Sequence, residues 1–186
     1  MKTQKSESHS EQQAQAQLES IKEMVAALEC DYDRLEELKA ERADLESEAK
    51  DYTNVVQDEA RQALADWDKE NGEELKDLID AASCGDVNYP CESREDAEQR
   101  IQEDPLSVQV RSDWHSPGER GEDSDFEILL CTGGPAVRII GELSNGEPSR
   151  CWLEHQDWGT PWQEYITTGS DHEALLTYAR CFYFGE

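Results

Sequence analysis

The sequence predicts an α+β protein, in which a long N-terminal helical or coiled-coil segment precedes a small antiparallel β-sheet with a C-terminal helix. Glycine and proline first occur at Gly72 and Pro90, and nine of the 11 glycines and five of the 6 prolines follow residue 100. Ten of the fourteen aromatic residues also lie in the last 86 residues. Turn formers and aromatics favour short strands, whereas their scarcity in the first half favours long helices.

Apolar residues recur every three or four positions through the helical segment, beginning with Leu18, Ile21, Val25, Leu28, Tyr32 and Leu35. This is the a/d pattern of a coiled-coil seam, which would also suit a homodimer. The phase slips after Leu35, and two interpretations stay open. The slip is typical of a stammer in one rod, but it also fits a helical hairpin that bends near Asp51–Asn54, where β-branched and polar residues interrupt strong helix formers.

Short sequence signals predict where the remaining helices begin and end. Asn71-Gly72 predicts a stop, after which a shorter helix covers 73–83 and ends at Gly85. Ser93 is expected to cap another short helix, with Asp96 at its third position and Pro105 beyond its end.

The C-terminal part is predicted to form an antiparallel meander. The candidate strands are 107–111, 126–131, 136–143 and 150–155. The segment 132–135 is expected to form a hairpin turn, and 144–147, which contains Asn145-Gly146, is a strong turn signal. Ser170, with Glu173 three residues later, predicts the start of a final helix that covers the sheet. The expected organisation is therefore a disordered tail over 1–10, helices over 11–104 and the sheet with its helix over 105–186.

The charge balance excludes several classes of protein. Against 44 acidic residues there are 17 Lys or Arg, which gives a net charge of −27. Phosphate backbones and anionic lipid surfaces repel such a chain, so we expect neither direct nucleic-acid binding nor membrane association. The chain contains no apolar run of the length that spans a bilayer and no secretion signal, which favours the cytoplasm.

No motif of known chemistry is present, and we expect a non-enzymatic protein. The cysteines Cys84 and Cys91, and the pair Cys151 and His155, lack the close spacing of zinc ligands. Six cysteines and four histidines allow too many Cys–His pairs for any one to be informative. The sequence therefore predicts no metal and no cofactor, and reduced rather than disulfide-bonded cysteines.

Two features are candidates for partner binding. The first is the acidic segment 119–127, which is either a flexible solubilising loop or a patch presented to a basic groove. Its acidic residues are Glu119, Glu122, Asp123, Asp125 and Glu127. The second is the tryptophan cluster of Trp152, Trp158 and Trp162, which predicts either the core of a small domain or an exposed platform that binds a protein through Trp158 or Trp162.

If the long acidic helix is a single rod, its linear charge density is too low to imitate duplex DNA. From Glu11 to Asp80 the chain has 22 acids and 8 bases, a net of −14 that is spread around the helix. A rod of 70 residues at about 1.5 Å per residue carries one net charge per about 7.5 Å, against about 1.7 Å for a duplex. Dimerisation or folding back would at least double this density.

Three C-terminal stretches, 133–138, 156–162 and 178–186, resemble small uncharacterised proteins of bacterial plasmids, integrative elements and phages. This class includes acidic anti-restriction and anti-CRISPR proteins that occupy the DNA-binding groove of a host nuclease. The resemblance implies inhibition of a basic host DNA-processing or defence complex by DNA mimicry. The alternative is a coiled-coil dimeric adaptor that binds a protein partner through its aromatic C-terminal domain.

Overall fold

The computed structural model describes residues 8–51, 55–119 and 121–185. In chain order, its elements are α1 (His9–Leu28), α2 (Tyr32–Asp51), α3 (Val55–Ala82), α4 (Arg94–Glu103), β1 (Ser107–Ser112), β2 (Asp123–Cys131), β3 (Ala136–Ser144), β4 (Glu147–Gln156), β5 (Gln163–Glu164) and α5 (Gly169–Ala179). The α+β class, the antiparallel sheet and the C-terminal helix are confirmed. The single long coiled-coil segment is not, because the helices are separate.

The chain forms two compact units. The sheet unit comprises the described part of Met1–Val25 together with Glu98–Glu186, and the hairpin unit comprises Ala26–Ala97. This division differs from the expected one at residue 104, because the first part of α1 belongs with the sheet. Ala14, Leu18 and Ile21 of α1 are all buried.

The hairpin unit consists chiefly of α2 and α3, which pack as an antiparallel pair. Arg42 Nε donates to Asp68 Oδ1 at 2.9 Å, and Arg34 Nε donates to Glu74 Oε1 at 3.0 Å, so residues pair in opposite chain directions. Its apolar interior contains Leu35, Leu38, Leu75 and Ala82, with Cys30, Tyr32, Trp67 and Leu78 packed against them. The hairpin alternative is confirmed and the continuous rod is wrong. The bend itself, at 52–54, lies outside the described residues.

The helix ends differ from the expected ones at two places, and the end near Gly85 is as expected. The stripe from Leu18 to Leu35 is divided, because α1 ends at Leu28 and Asp31 caps α2 by accepting a hydrogen bond from the Arg34 amide at 3.0 Å. Gly72 does not end a helix, since α3 continues to Ala82. The chain leaves the helical conformation at Cys84 and Gly85, whose φ angles are 50° and 80°.

Side chains cap the N-termini of α1 and α4. At α1, the Ser8 amide donates to Glu11 Oε2 at 2.7 Å and the Glu11 amide donates to Ser8 Oγ at 3.1 Å, so the helix includes His9 and the expected tail over 1–10 is too long. At α4, the Asp96 amide donates to Ser93 Oγ at 3.1 Å, as predicted.

The sheet is a five-stranded antiparallel meander in the order β1-β2-β3-β4-β5. Four strands and both hairpin turns are confirmed, and Asn145 and Gly146 have the positive φ angles, 55° and 79°, that a tight hairpin turn requires. The short β5 was not predicted. One face forms the core, where Ile128, Ile139 and Leu153 are fully buried together with Leu175 and Tyr178 of α5.

The N-terminus of α5 is held by Asp171 and provides a pH-dependent test. The N-cap is Thr168 rather than Ser170, and its hydroxyl and amide donate to Asp171 Oδ2 at 2.7 and 2.9 Å. These hydrogen bonds lower the pKa of the Asp171 carboxyl below its ordinary 3.8, and Lys22 Nζ, at 3.3 Å from Oδ1, adds to the effect.

We expect Asp171→Asn to lower the free energy of unfolding by about 1 kcal/mol at neutral pH. A lowered pKa stabilises the folded state above the ordinary pKa, and this stabilisation disappears as the pH falls through the lowered value. Urea unfolding of both proteins should therefore show a difference that shrinks in acid. Glu173→Gln on the same helix is the control, and a difference that does not change with pH would contradict the assignment.

Candidate partner-binding surfaces

The face of the sheet opposite the core carries an alternating set of charged and aromatic side chains. Register places Arg111 opposite Asp125, Arg138 opposite Glu154 and Ile140 opposite Trp152 on this face. A concavity of about 360 Å³ lies on it, bordered by Arg111, Asp125, Glu127, Arg138 and Trp152. We call this surface the open sheet face.

Arg138 is the centre of the open sheet face. Its Nη2 and Nε donate to Glu154 Oε2 at 2.7 and 2.9 Å, and its Nη1 donates to Glu127 Oε2. The guanidinium also stacks on Trp162, with 4.1 Å between Cζ and the ring centroid. The guanidinium therefore joins β2, β3 and β4 and balances much of the charge of two carboxylates.

Two further arginines on this face are paired in the same way. Arg111 Nη2 lies 2.9 Å from Asp125 Oδ2, and this hydrogen bond lowers the pKa of the Asp125 carboxyl. Arg150 Nη1 lies 3.5 Å from Glu142 Oε2. The open sheet face is consequently a mixed-charge surface rather than an acidic one.

The five acidic residues predicted from segment 119–127 do not form one free patch. Asp125 pairs with Arg111, and Glu127 shares Arg138 with Glu154. Glu119 and Glu122 are exposed and Asp123 is half-buried, and none of these three forms an ion pair with a described residue. A role for the segment in partner binding stays a prediction, with three carboxylates rather than five available for it.

None of the three clustered tryptophans is fully buried, but one of them is exposed, so the core and the platform interpretations both stay open. Trp152 and Trp162 are half-buried, and Trp158 is 82% exposed. The Trp158 ring lies over Gly134, where a Cβ atom would stand 1.7 Å from Trp158 Cδ1. The aromatic surface that the adaptor hypothesis requires is therefore present, with Trp158 its most accessible side chain.

The hairpin unit presents an acidic stripe that the sequence analysis did not identify. Six acidic side chains on α3 recur at helical spacing, all are exposed, and none forms an ion pair with a described residue; they are Glu59, Asp66, Glu70, Glu73, Asp77 and Asp80. Residues at spacings of three, four and seven lie on one side of a helix. Acidity on α3 is thus concentrated on one side, whereas the sequence was interpreted as evenly charged.

The two arginines of α2 form ion pairs with carboxylates outside the acidic stripe. Arg34 pairs with Glu37 and Glu74, and Arg42 pairs with Glu46 and Asp68. These cations therefore neutralise carboxylates outside the stripe. Lys69 and Lys76 of α3 are three or four residues from members of the stripe, but neither forms an ion pair with a described residue.

Other kinds of site find little support in the part of the chain that the structure describes. No group of three His, Cys, Asp or Glu side chains there is arranged to hold a metal ion. No disulfide bond joins cysteines in the described ranges, and burial raises the pKa of the Cys151 thiol to about 12. No helix in the described ranges has the combined length and apolar character needed to span a bilayer.

Comparison of the chain with family models, with curated proteins and with solved structures found no match.

Proposed function

We propose that the protein binds the basic DNA-binding groove of a bacterial DNA-processing or defence complex, with carboxylates of the acidic stripe in the place of phosphates. The observation that carries this proposal is the one-sided row of six exposed carboxylates on α3. The proposal moves the principal contact from segment 119–127 to the hairpin unit.

The antiparallel packing of α2 and α3 raises the linear charge density of the hairpin unit toward that of a nucleic acid. Together α2 and α3 contain 17 acidic and 7 basic residues, a net charge of −10. The longer helix has 28 residues, which corresponds to about 42 Å at about 1.5 Å per residue. One net charge per about 4 Å is nearly twice the density of a single rod, and it lies between that value and the one charge per about 1.7 Å of a duplex.

The spacing within the stripe supports the same conclusion. From Asp66 to Asp80 five carboxylates project from 14 residues of rise, which places neighbours about 5 Å apart along the helix axis. Like charges at this spacing on a helix destabilise it by about 0.2–0.5 kcal/mol per pair. A basic groove that covers the stripe would remove this repulsion and release counterions from the partner.

The experiment that tests the proposal is capture from bacterial lysate with the full chain as bait, at low and at high salt. We expect a nuclease or another DNA-binding complex to be retained at low salt, to be lost at high salt and to be displaced by added duplex DNA. The isolated complex should then bind the protein with an affinity that falls steeply with ionic strength. An interaction that is indifferent to salt or to competing DNA would contradict mimicry.

The adaptor function remains the second candidate because Trp158 is exposed on the sheet unit. Large aromatic side chains are frequent anchors in protein interfaces, and their contribution depends little on salt. In the same capture experiment, an adaptor would keep its partner at high salt and lose it on Trp158→Ala. The dimerisation that this function also assumed has less support, since Leu18, Ile21 and Leu35 of the proposed seam are buried within the chain.

A further inference from the structure

The strand β1 forms one edge of the sheet, and no strand among the described residues pairs with its outer side. Its six residues contain no proline and no acidic residue, and the charge of Arg111 is balanced by Asp125. Proteins commonly protect an edge strand with proline, with free charges or with a covering element, because unpaired backbone groups can pair with another strand. In a chain with 44 acidic residues, this edge is therefore a place where a second strand can approach.

One contact shows which backbone groups of β1 face outward. The carbonyl oxygen of Arg111 accepts a hydrogen bond from Ser124 Oγ of β2 at 3.2 Å, so the backbone of Arg111 faces β2. In an antiparallel strand, the amide and carbonyl of one residue point to the same side, and those of the next residue point to the opposite side. The amides and carbonyls of Val108 and Val110 therefore face outward.

The register of the whole sheet leads to the same assignment. The Tyr165 amide donates to the Leu153 oxygen at 2.8 Å, so the backbone of Leu153 faces β5. Its partner on β3, Ile139, consequently faces β2 and forms a hydrogen-bonded pair with Ile128. Ile128 faces away from β1, which leaves its partner Val108 facing outward.

Three exposed apolar side chains lie at equal intervals along this edge. They are Leu106, Val110 and Trp114, each four residues from the next, with Val110 at the centre. If a second copy of the strand pairs antiparallel about a twofold axis at Val110, the two Val110 residues lie opposite each other. Leu106 of each copy then lies opposite Trp114 of the other, and the outward backbone groups of the two Val110 residues exchange both hydrogen bonds. The pattern is therefore complementary to itself.

Charge favours the same arrangement. In this register Arg111 lies opposite Gln109 of the second copy, and Asp113 lies opposite Ser107. Like charges directly opposite each other destabilise a strand pair, and no two acidic residues from 105 to 115 are opposite. Two chains of net charge −27 repel each other, and the edge at β1 brings few of these charges together.

We propose that the protein forms a homodimer through β1, in which the two strands pair antiparallel about a twofold axis at Val110 and the two sheets become continuous. The twofold arrangement uses the β1 edge of both copies, so assembly ends at the dimer. The opposite edge of the sheet is β5, which has only two residues. The dimer uses neither the predicted helical seam nor the acidic stripe.

The test is sedimentation equilibrium of the full chain over a concentration series, at low and at high salt. We expect a monomer–dimer equilibrium that tightens at high salt, because salt screens the repulsion between two chains of net charge −27. Binding of a basic partner through the acidic stripe should weaken with salt, so the two proposals fail independently. A chain that stays monomeric at high salt up to about 1 mM would overturn the dimer.

Two opposite charges at position 110 test the register. Val110→Lys and Val110→Glu each place like charges opposite each other in the dimer, and each should raise its dissociation constant at least about fivefold. An equimolar mixture of the two variants should dimerise more tightly than either variant alone, because position 110 faces itself across the axis. A mixture that behaves like its separate components would overturn the register.

Val87 of the hairpin unit provides the matched control because it is also an exposed valine. Val87→Lys and Val87→Glu change the net charge equally, and each should change the dissociation constant by less than about twofold, alone or mixed. An equal gain on mixing the Val87 variants would show attraction between net charges and overturn the site.

Trp114→Ala is a second probe, whose outcome does not depend on how the sheet tolerates a charge at position 110. Trp114 is fully exposed, so the fold loses no buried contact. The dimer loses the contact between Trp114 and Leu106 of the other copy, and its dissociation constant should rise at least about threefold. An unchanged constant would overturn the proposed register.

Discussion

Gly141→Ala is expected to lower the free energy of unfolding of the sheet unit by about 3 kcal/mol, because the site has no space for a Cβ atom. That atom would lie 2.3 Å from the backbone oxygen of Arg150 and 2.5 Å from the Phe126 ring. The oxygen is fixed in β4. The ring is buried and packs on Phe184, with 4.7 Å between centroids, so it cannot move without displacing a second aromatic side chain.

Thermal unfolding measures this effect. For a chain of this size, about 3 kcal/mol corresponds to a melting temperature lower by about 6–12 °C. The buried Cys151 thiol, whose pKa is raised to about 12, provides a probe of the sheet unit alone, because it should react with thiol reagents only when that unit opens. The reaction should be faster in the variant.

Gly169→Ala is the matched control. Gly169 is the first residue of α5, and a Cβ atom there would meet nothing within 4 Å. Alanine favours a helix over glycine by up to about 1 kcal/mol, so this variant should be as stable as the parent or slightly more so. If Gly141→Ala melted like Gly169→Ala, the close packing of β3 between Phe126 and β4 would be wrong.

The sheet was predictable because its signals are local. Alternating residues and the Asn145-Gly146 turn fix the strands and their order without reference to distant parts of the chain. The strand β5 was missed because two residues carry no period. The break between α1 and α2 was missed because Leu28, Tyr32 and Leu35 continue the apolar spacing across it, and Asp31 alone marks the new start.

The helix end predicted at Gly72 is wrong for the opposite reason. Here a local signal is present, but tertiary packing outweighs it. Glycine costs a helix about 1 kcal/mol relative to alanine, and packing of α3 against α2 through Leu75 and Leu38 offsets this.

The candidate sites were less predictable because side-chain pairing is not local. Asp125 and Glu127 stand out in the sequence as part of a dense acidic run, but Arg138, on the next strand, pairs with Glu127 and Arg111 pairs with Asp125. The hydrogen bond between His155 and Ser10 joins positions 145 residues apart. By contrast, the acidic stripe was within reach of sequence analysis, since its six members follow the helical period.

Neutralising four members of the acidic stripe is expected to have the largest functional effect. The variant carries Glu70→Gln, Glu73→Gln, Asp77→Asn and Asp80→Asn. We expect its affinity for the captured DNA-binding complex to fall about 30- to 100-fold at low salt, which corresponds to about 0.5–0.7 kcal/mol for each charge. The difference should shrink as ionic strength rises, because the lost interactions are electrostatic.

The control removes the same number of charges from dispersed exposed positions, with Glu23→Gln, Glu98→Gln, Glu147→Gln and Glu173→Gln. Both variants have four fewer negative charges than the parent, so a contribution from net charge alone would weaken binding equally in both. A third variant, Glu119→Gln/Glu122→Gln/Asp123→Asn, measures the remaining charge of segment 119–127.

Stability separates loss of a binding surface from loss of the fold. Within the stripe, Glu73 and Asp77 are like charges four residues apart, as are Glu70 and the neighbouring Glu74, and neutralising them removes repulsion worth about 0.2–0.5 kcal/mol per pair. The same substitutions also remove attraction of similar size between Lys69 or Lys76 and the carboxylates of Glu73 and Asp80. The stripe variant should therefore unfold at about the same urea concentration as the parent while it binds more weakly. Weaker binding together with equal or greater stability cannot arise from unfolding, and an unchanged affinity would remove the stripe from the proposed interface.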